Sequence, residues 1–137
     1  MVTLRLFTDG AARGNPGPAG LGIVIEDEQG LRLWGGCRYI GTATNNVAEY
    51  LALIDGLRKV AEWKPDRVEA CLDSKLVVEQ MAGRYRVKHP DLLLLHRQAS
   101  VLVAALAAVD FRHVERARNK GADALANRAI DEYRKHA

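Results

Sequence analysis

The sequence predicts an α/β fold in which one mixed sheet of five strands is flanked by helices. Residues 1–40 show strand-like alternation in three segments with no helical period, which indicates an antiparallel meander. From residue 46 onward, helical and strand-like patterns alternate, which is typical of strands that join a sheet in parallel. The predicted sheet therefore has three antiparallel strands followed by parallel additions.

The predicted meander comprises residues 2–9, 20–27 and 31–39. In its first strand Leu4 and Leu6 lie on one face, and Phe7 and Asp9 lie on the other. A loop rich in glycine and proline, residues 10–20, separates the first two strands. A short polar turn joins the second and third strands, which favours a hairpin.

Start and stop signals bound the later elements. Thr44 and Asn45 are capping candidates for the first helix, and Pro65 ends it. Gly83 is a stop for the second helix, and Pro90 suits the first turn of the third. The predicted helices are residues 46–64, 74–82, 90–108 and 122–135, the predicted strands are residues 68–73 and 109–115, and a polar loop is predicted at residues 117–121.

Length and composition indicate one ordinary domain. The chain has 137 residues, of which 48% are hydrophobic and 27% charged, so it can bury a hydrophobic core without cross-links to stabilise it. We expect residues 1–137 to form a single domain and to be monomeric. No apolar run approaches the roughly 20 residues of a membrane span and no signal sequence is seen, so a cytoplasmic location without membrane contact is expected. Cys37 and Cys71 are predicted to be buried, reduced thiols.

The charge balance alone does not identify a partner. A net charge of +3 and a pI near 9.0 are too modest to indicate a nucleic-acid binder. The chain has two basic clusters, and either one alone could equally be a solvated surface or a phosphate contact. Both lie beside the candidate catalytic elements, which favours contact with phosphate. The clusters are Arg84, Arg86, Lys88 and His89, and Arg112, Arg116, Arg118 and Lys120.

Four acidic residues interrupt otherwise apolar segments: Asp9, Glu49, Asp73 and Asp123. Asp9 and Asp73 end predicted strands, where ligands collect in sheets flanked by helices. Glu49 and Asp123 lie near helix starts, where the helix dipole favours an acid by about 0.3 to 1 kcal/mol, and for Asp123 alone this is the better explanation. Four neighbouring carboxylates repel strongly unless divalent cations neutralise them, so the set predicts a metal site.

Four motifs carry a family resemblance. TDGAARGNPGPAG at residues 8–20 resembles the opening motif of type 1 ribonuclease H, and TNNVAE at residues 44–49 resembles the start of its first helix. LDS at residues 72–74 and NKGADALA at residues 119–126 resemble its third and closing motifs. Because the four occur in the family's order and span nearly the whole chain, the resemblance is specific. It implies the ribonuclease H-like fold.

The resemblance implies an endonuclease that hydrolyses the RNA strand of RNA/DNA hybrids and leaves 5′-phosphate and 3′-hydroxyl ends. The four acids would hold two Mg²⁺, with Mn²⁺ as a substitute, one ion activating a water and the other stabilising the leaving oxygen. Cleavage of double-stranded RNA, known for some short-loop relatives, stays open.

Selectivity for RNA requires groups that sense the 2′-hydroxyl in the shallow minor groove. By position in the family motifs, Asn15 and Asn46 are expected to reach that groove, Thr44 and Asn45 to contact the DNA strand, and Ser74 to lie beside the RNA backbone. Structural roles are open to the same residues: Asn15 in the turn, and Thr44 or Asn45 as a helix cap.

The chain departs from many family members in two places. Residues 114–122 contain no histidine, and Arg116 is the nearest substitute, as in archaeal and actinobacterial relatives with a short loop, where it would contact the scissile or leaving phosphate. His113 is expected to be a packed strand residue. Residues 83–90 are too few for the extra helix and basic protrusion of some bacterial members. Arg84, Arg86 and Lys88 are expected to take over part of that binding, which would make it salt-dependent.

Two other functions stay open on the sequence. A non-catalytic binding module on the same fold would gain nothing from negative charge placed where phosphate must lie. An integrase-like or junction-cleaving nuclease would keep the metals and change the substrate. Asn15, Asn45 and Asn46 favour the hybrid over that alternative.

Overall fold

The computed structural model describes residues 1–136, which form a five-stranded sheet with helices on both faces. Ala137, which the predicted domain includes, lies outside the described residues. The strands are β1 (Thr3–Ala12), β2 (Gly17–Glu26), β3 (Arg32–Ala43), β4 (Arg67–Leu72) and β5 (Val109–His113). The helices are α1 (Asn45–Val60), α2 (Lys75–Met81), α3 (Pro90–Ala105) and α4 (Lys120–His136), with short 3₁₀ turns at Ala61–Trp63 and Arg116–Asn119.

The strand order is β3-β2-β1-β4-β5. β2 is antiparallel to both β1 and β3, whereas β4 is parallel to β1 and β5 is parallel to β4. The predicted mixed sheet, three antiparallel strands followed by parallel additions, is confirmed. Because β1 and β4 are adjacent and parallel, their carboxyl ends open at the same edge of the sheet, where ligands commonly bind.

The main core lies between one face of the sheet and helices α1 and α3. Leu4 and Leu6 of β1 are buried there together with Leu53 and Leu57 of α1 and Leu92 of α3. Because α1 lies between the sheet and α3, it is buried on more than the one apolar stripe that its period indicates. Its buried residues are Ala48, Glu49, Tyr50, Ala52, Leu53, Ile54, Gly56, Leu57 and Val60.

Helix α4 packs on the opposite face of the sheet, against two glycines of β2. A Cβ atom on Gly22 would lie 1.9 Å from the carbonyl oxygen of Ala122, and one on Gly20 would lie 2.3 Å from that of Ala126. Backbone therefore meets backbone along this contact. The result is that the first turn of α4, which carries Asp123, lies directly on the sheet.

Strands β1 and β2 are longer than predicted. β1 continues to Ala12 and β2 begins at Gly17, so only residues 13–16 form the loop that was predicted for residues 10–20. The added residues are mostly glycine and alanine, and Ala11 pairs with Gly20. The prediction was wrong because small residues show no alternation of apolar and polar side chains. Small residues are needed at these positions because another stretch of backbone approaches closely.

Helix caps follow the sequence signals. Thr44 caps α1, with its Oγ1 accepting from the Val47 N–H at 3.2 Å, and Ser74 caps α2, with its Oγ accepting from the Val77 N–H at 3.3 Å. Gly83 follows α2 with a φ of 79°, a left-handed conformation that suits glycine and ends the helix. The predicted cap at Thr44 and the predicted stop at Gly83 are confirmed, whereas Ser74, predicted as the first residue of the second helix, is its cap.

Other boundaries shift by a few residues. α1 ends at Val60, and a 3₁₀ turn occupies part of its predicted end. Since α1 begins at Asn45, Glu49 lies in its second turn and not in its first. α3 ends at Ala105, and α4 begins at Lys120, two residues earlier than the predicted start at residue 122.

Two side chains are more exposed than predicted. Cys37 is exposed because β3 is an edge strand of the sheet, whereas Cys71 is buried as expected; both thiols are free. His113 is exposed at the end of β5, with its Nε2 3.2 Å from the carbonyl oxygen of Asp73. Among residues 1–136, no helix has the length and apolar composition needed to cross a membrane.

Candidate active site

Three of the four acids converge where β4 ends beside β1. Asp9, Glu49 and Asp73 each offer one carboxylate oxygen, and these oxygens lie within 4.8 Å of one another. Thr8 pairs with Leu72, the last residue of β4, so Asp73 leaves its strand beside Asp9, which lies within β1 and does not end it as predicted. Asp9 is only 5% exposed and Glu49 only 7%.

Gly10 sets the distance between β1 and α1. A Cβ atom at this position would lie 2.2 Å from the carbonyl carbon of Ala48 and 2.4 Å from the backbone nitrogen of Glu49, so only glycine fits. Its N–H donates to Oε1 of Glu49 at 2.9 Å. The contact fixes the positions of Asp9 and Glu49 relative to each other.

Asp123 approaches from α4 and lines the same cleft, which has a volume of about 440 Å³. It adds slightly to the raised pKa of Asp9 but lies outside the group of three. Asn127, one turn further along α4, donates from Nδ2 to the carbonyl oxygen of Asp123 at 3.0 Å and to its Oδ1 at 3.3 Å. All four predicted metal ligands therefore line one cleft.

Burial and mutual repulsion raise the pKa values of the two most buried acids. The pKa of Asp9 is raised to about 10, chiefly by burial and then by the neighbouring charges of Glu49 and Asp73. Burial raises the pKa of Glu49 to about 7, against the hydrogen bonds from Asp9 and Gly10.

A hard divalent cation fits this donor set. The converging groups are carboxylate oxygens, which Mg²⁺ prefers, and a cation would favour their ionised forms. Oε2 of Glu49 is buried and has no hydrogen-bond partner among the described residues, so a donor atom is left available. Asp9, Glu49, Asp73 and Asp123 are the residues placed to hold such ions.

Most of the predicted substrate contacts adjoin the acids. Asn15 is held against α1, since its Oδ1 accepts from the Asn45 N–H at 3.1 Å. Thr44 and Ser74 are helix caps, so their structural roles hold whatever else they contact. Lining the acidic cleft are Asn45, Asn46, Ser74 and Arg116, and lining an adjoining cavity of about 220 Å³ are Asn15, Thr44 and Asn46.

Arg84, Arg86 and Lys88, in the segment between α2 and α3, lie outside both cavities. Arg84 donates to both carboxylate oxygens of Glu79, at 2.6 and 2.8 Å, and this lowers the pKa of Glu79. Lys88 is exposed. The structure does not bring any of the three to the acids, and their contact with phosphate stays a prediction.

Sequence reasoning assigned no role to two asparagines that contact the acids. Asn119, 1% exposed, donates from Nδ2 to the carbonyl oxygen of Thr8 at 2.9 Å and to Oδ2 of Asp73 at 3.2 Å. Asn127 contacts Asp123 in the same way. A signal was present for Asn127 alone, because residues 123 and 127 are spaced four apart and such residues share one face of a helix.

The family comparison agrees with the fold. A family model described as "Reverse transcriptase-like" matches residues 7–129. A ribonuclease H of Methylococcus capsulatus is 34% identical over 145 residues, an alignment that covers 95% of this chain and 90% of the relative. The chain belongs to the type 1 ribonuclease H family. The resemblance carried by the four sequence motifs is thereby confirmed.

Within the ribonuclease H family, similarity is higher to an actinobacterial and an archaeal member. The "Bifunctional protein Rv2228c" of Mycobacterium tuberculosis is 49% identical over 124 residues, covering 90% of this chain and 34% of its own. The chain thus spans about a third of the length of that mycobacterial relative. The crystal structure of RNase H1 from Halobacterium salinarum superposes with a TM-score of 0.92 at 42% identity, covering 95% of this chain and 98% of that one.

A further similar ribonuclease H structure contains a bound nucleic acid. LC11-RNase H1 was solved in complex with an RNA/DNA hybrid, and it matches with a TM-score of 0.90 at 43% identity, covering 95% of this chain and 98% of that one. The expected five-stranded ribonuclease H fold is confirmed by these superpositions.

Proposed function

We propose that this chain is a metal-dependent endonuclease that hydrolyses the RNA strand of RNA/DNA hybrids and leaves 5′-phosphate and 3′-hydroxyl ends. The observation that carries the proposal is the convergence of Asp9, Glu49 and Asp73 with Asp123 in one cleft. The hybrid as substrate is supported by LC11-RNase H1, a 43% identical protein solved with that ligand. We propose two Mg²⁺ per site, with Mn²⁺ as a substitute.

The chain's own groups have distinct tasks in this proposal. Two bound divalent ions would supply an activated water and neutralise charge on the leaving oxygen. Gly10 holds Oε1 of Glu49 by its N–H and leaves Oε2 as a metal donor. Asn45, Asn46 and Ser74 provide amide and hydroxyl groups at the cleft wall to orient the nucleic acid.

Arg116 has the charge needed to contact phosphate. It lines the acidic cleft and is close enough for its charge to lower the pKa of Glu49 slightly against the effect of burial. A guanidinium can donate two parallel hydrogen bonds to phosphate oxygens. We propose that it contacts the scissile or leaving phosphate.

Several finer points stay predictions. They are activity on double-stranded RNA, a monomeric state, a single domain over residues 1–137, a cytoplasmic location, and the contacts of Asn15, Thr44, Arg84 and Lys88 with nucleic acid.

One cleavage experiment tests the proposed function. A single end-labelled sequence is prepared as RNA/DNA hybrid, double-stranded RNA, duplex DNA and single-stranded RNA, and each is incubated with Mg²⁺ or with chelator. Mg²⁺-dependent cutting of the RNA strand of the hybrid is expected. Cutting of the double-stranded RNA sample measures how strongly an enzyme with this short loop prefers the hybrid. Folded protein that cuts none of the four would favour the binding module, and cutting of duplex DNA would favour a different nuclease.

Magnesium is expected to raise the melting temperature of the protein, and to do so more at pH 9 than at pH 6. Since the pKa of Asp9 rises from 3.8 to about 10 on folding, the folded metal-free protein keeps a proton that the unfolded chain releases. This proton stabilises the fold fully below about pH 4, and its contribution is lost as the pH rises toward 10. Metal takes the proton's place, so its binding strengthens with pH. Calorimetry with Mg²⁺ or chelator at several pH values measures the difference, and equal shifts at all pH values would contradict the prediction.

Replacing Arg116 by alanine is expected to lower kcat by about 10- to 100-fold, which corresponds to the loss of about 1.5 to 3 kcal/mol from a charged hydrogen bond. The Kd for hybrid in chelator is expected to change much less, because Arg116 is proposed to act on the reacting phosphate. Arg116→Lys is the matched variant, and it should retain part of the rate because it keeps the charge and loses the planar fork. A loss confined to binding would make Arg116 a docking residue.

A further inference from the structure

The loop of residues 13–16 contacts α1 and α4, the two helices that carry acids of the cleft. On one side, Oδ1 of Asn15 accepts from the Asn45 N–H of α1 at 3.1 Å. On the other side, Arg13 reaches α4, where its Nη1 donates to Oδ1 of Asp131 at 2.6 Å and its Nη2 donates to Oδ1 of Asn127 at 3.2 Å. A weaker contact joins Nη2 to the carbonyl oxygen of Asn127 at 3.4 Å.

The guanidinium of Arg13 decides which way the side-chain amide of Asn127 faces. Arginine has donors and no acceptor, so Asn127 must present its oxygen to Arg13. Its NH₂ group is then the end that meets Asp123, and Nδ2 donates to Oδ1 of Asp123 at 3.3 Å. An amide turned the other way would place an oxygen against the carboxylate.

Asp123 depends on such a contact more than the other acids do. Glu49 is buried against the backbone at Gly10, and Asp73 accepts from the buried Asn119. Asp123, like Asp73, is only half-buried, but it alone of the four lies outside the three-carboxylate group, on the first turn of α4. Asn127 is therefore the side chain placed to keep Asp123 turned toward the cleft.

We infer that Asn127 is a positioning residue for Asp123 and that Arg13 holds Asn127 in the orientation this requires. The inference deepens the proposed function, on which it rests, because it takes Asp123 as a metal ligand. Groups that hydrogen-bond to metal ligands typically contribute about 10- to 100-fold to metal affinity. The half-exposed position of Asp123 places the expected effect at the lower end of that range.

The test is a double-mutant cycle on Asn127→Ala and Asp123→Asn, in the chain of residues 1–137. Calorimetric titration of the metal-free protein with Mg²⁺ and with Mn²⁺ gives metal affinity without reference to turnover. Asn127→Ala alone is expected to weaken binding about tenfold. In the Asp123→Asn background the same change is expected to have no further effect, because the ligand through which Asn127 acts is gone.

Variants of Arg13 test the second half of the inference. Arg13→Met removes the donors and is expected to weaken metal binding about threefold, less than the loss of the amide itself. Arg13→Lys keeps a donor for the amide oxygen and is expected to restore most of the affinity. Asp131→Asn is the matched control, since it removes the ion pair of Arg13 and leaves the Asn127 contact in place.

Loss of the helix would not explain the expected result. Alanine has the higher helix propensity, so Asn127→Ala is expected to unfold in chelator at the same temperature as the unaltered protein or above it. Unchanged metal affinity in Asn127→Ala, or an effect that adds fully to that of Asp123→Asn, would overturn the inference. If the unaltered protein binds no Mg²⁺ and cuts no hybrid, the proposed function fails instead, and the inference falls with it.

Discussion

Replacing Asp9 by asparagine is expected to reduce hybrid cleavage by at least about a thousandfold while hybrid binding persists. Asp9 is the most perturbed acid of the cluster, and an amide cannot replace its anionic oxygen as a metal ligand. Loss of several kcal/mol of charge stabilisation in the transition state corresponds to that factor. Binding persists because one fewer negative charge faces the phosphates. Single-turnover cleavage in Mg²⁺ and a gel-shift titration in chelator measure the two effects.

The same Asp9→Asn variant is expected to be more stable than the unaltered protein in chelator. Asparagine needs no proton to be buried, whereas Asp9 must hold one that the unfolded chain releases, since its pKa is raised to about 10. We expect a melting temperature higher by at least about 3 °C at neutral pH, the shift that about 1 kcal/mol produces in a domain of this size. The difference should widen with pH and vanish below about pH 4.

Asp131→Asn is the matched control for charge removal. The pKa of Asp131 is lowered by Arg13, and its carboxylate is exposed, so its loss should not stabilise the protein at any pH. Retained turnover in Asp9→Asn would remove Asp9 from the site. A melting temperature in chelator below that of the unaltered protein would contradict the account of its burial.

Replacing Gly22 by alanine is expected to destabilise the protein by about 3 kcal/mol or more, the upper range for overpacking a core. The new methyl group would lie 1.9 Å from the carbonyl oxygen of Ala122 and 2.7 Å from the backbone nitrogen of Ala126, and neither backbone atom can move alone. Helix α4 would have to shift as a unit. Because Gly22 pairs with Asp9, the shift would carry Asp123 away from Asp9, so cleavage should fall as well. Urea unfolding and cleavage at a temperature where the variant is folded measure both.

Gly35→Ala on β3 is the matched control for Gly22→Ala. A Cβ atom at Gly35 would lie 3.3 Å from Nη1 of Arg32 and 3.6 Å from Cδ1 of Leu125, and both are ends of flexible side chains. Its effect is expected to stay within about 1 kcal/mol. If Gly22→Ala were equally mild, α4 would not depend on backbone contact with the sheet.

The sheet and its helices were predictable because their signals are local. Alternation in β1, helical period in α1, the cap at Thr44 and the stop at Gly83 each depend on residues a few positions apart. The ends of β1 and β2 were not predictable in this way. Gly10 is a glycine because helix α1 arrives against it from elsewhere in the chain, and nothing near it in sequence indicates this contact.

The candidate site was predictable to a different extent. Each acid breaks an apolar segment, but positions 9, 49 and 73 do not by themselves show that three carboxylates meet; the family motifs implied it and the parallel register of β1 and β4 explains it. The hydrogen bond between Arg13 and Asn127 joins residues 114 positions apart. No periodicity connects them, because their contact follows from how the loop lies over α4.

The contact between Gly10 and α1 limits how this site can adapt to another cation. The spacing of Asp9 and Glu49 is set by main chain against main chain, so exchanging a nearby side chain cannot retune it. Asp73 and Asp123 are held by the side-chain amides of Asn119 and Asn127. Substitution can replace these two side chains by longer or shorter ones, or remove the amide. Ca²⁺ takes oxygen ligands at about 2.3 to 2.6 Å and Mg²⁺ at about 2.0 to 2.1 Å. Selection for a larger ion would therefore act on the two asparagines, while the spacing between Asp9 and Glu49 would stay unchanged.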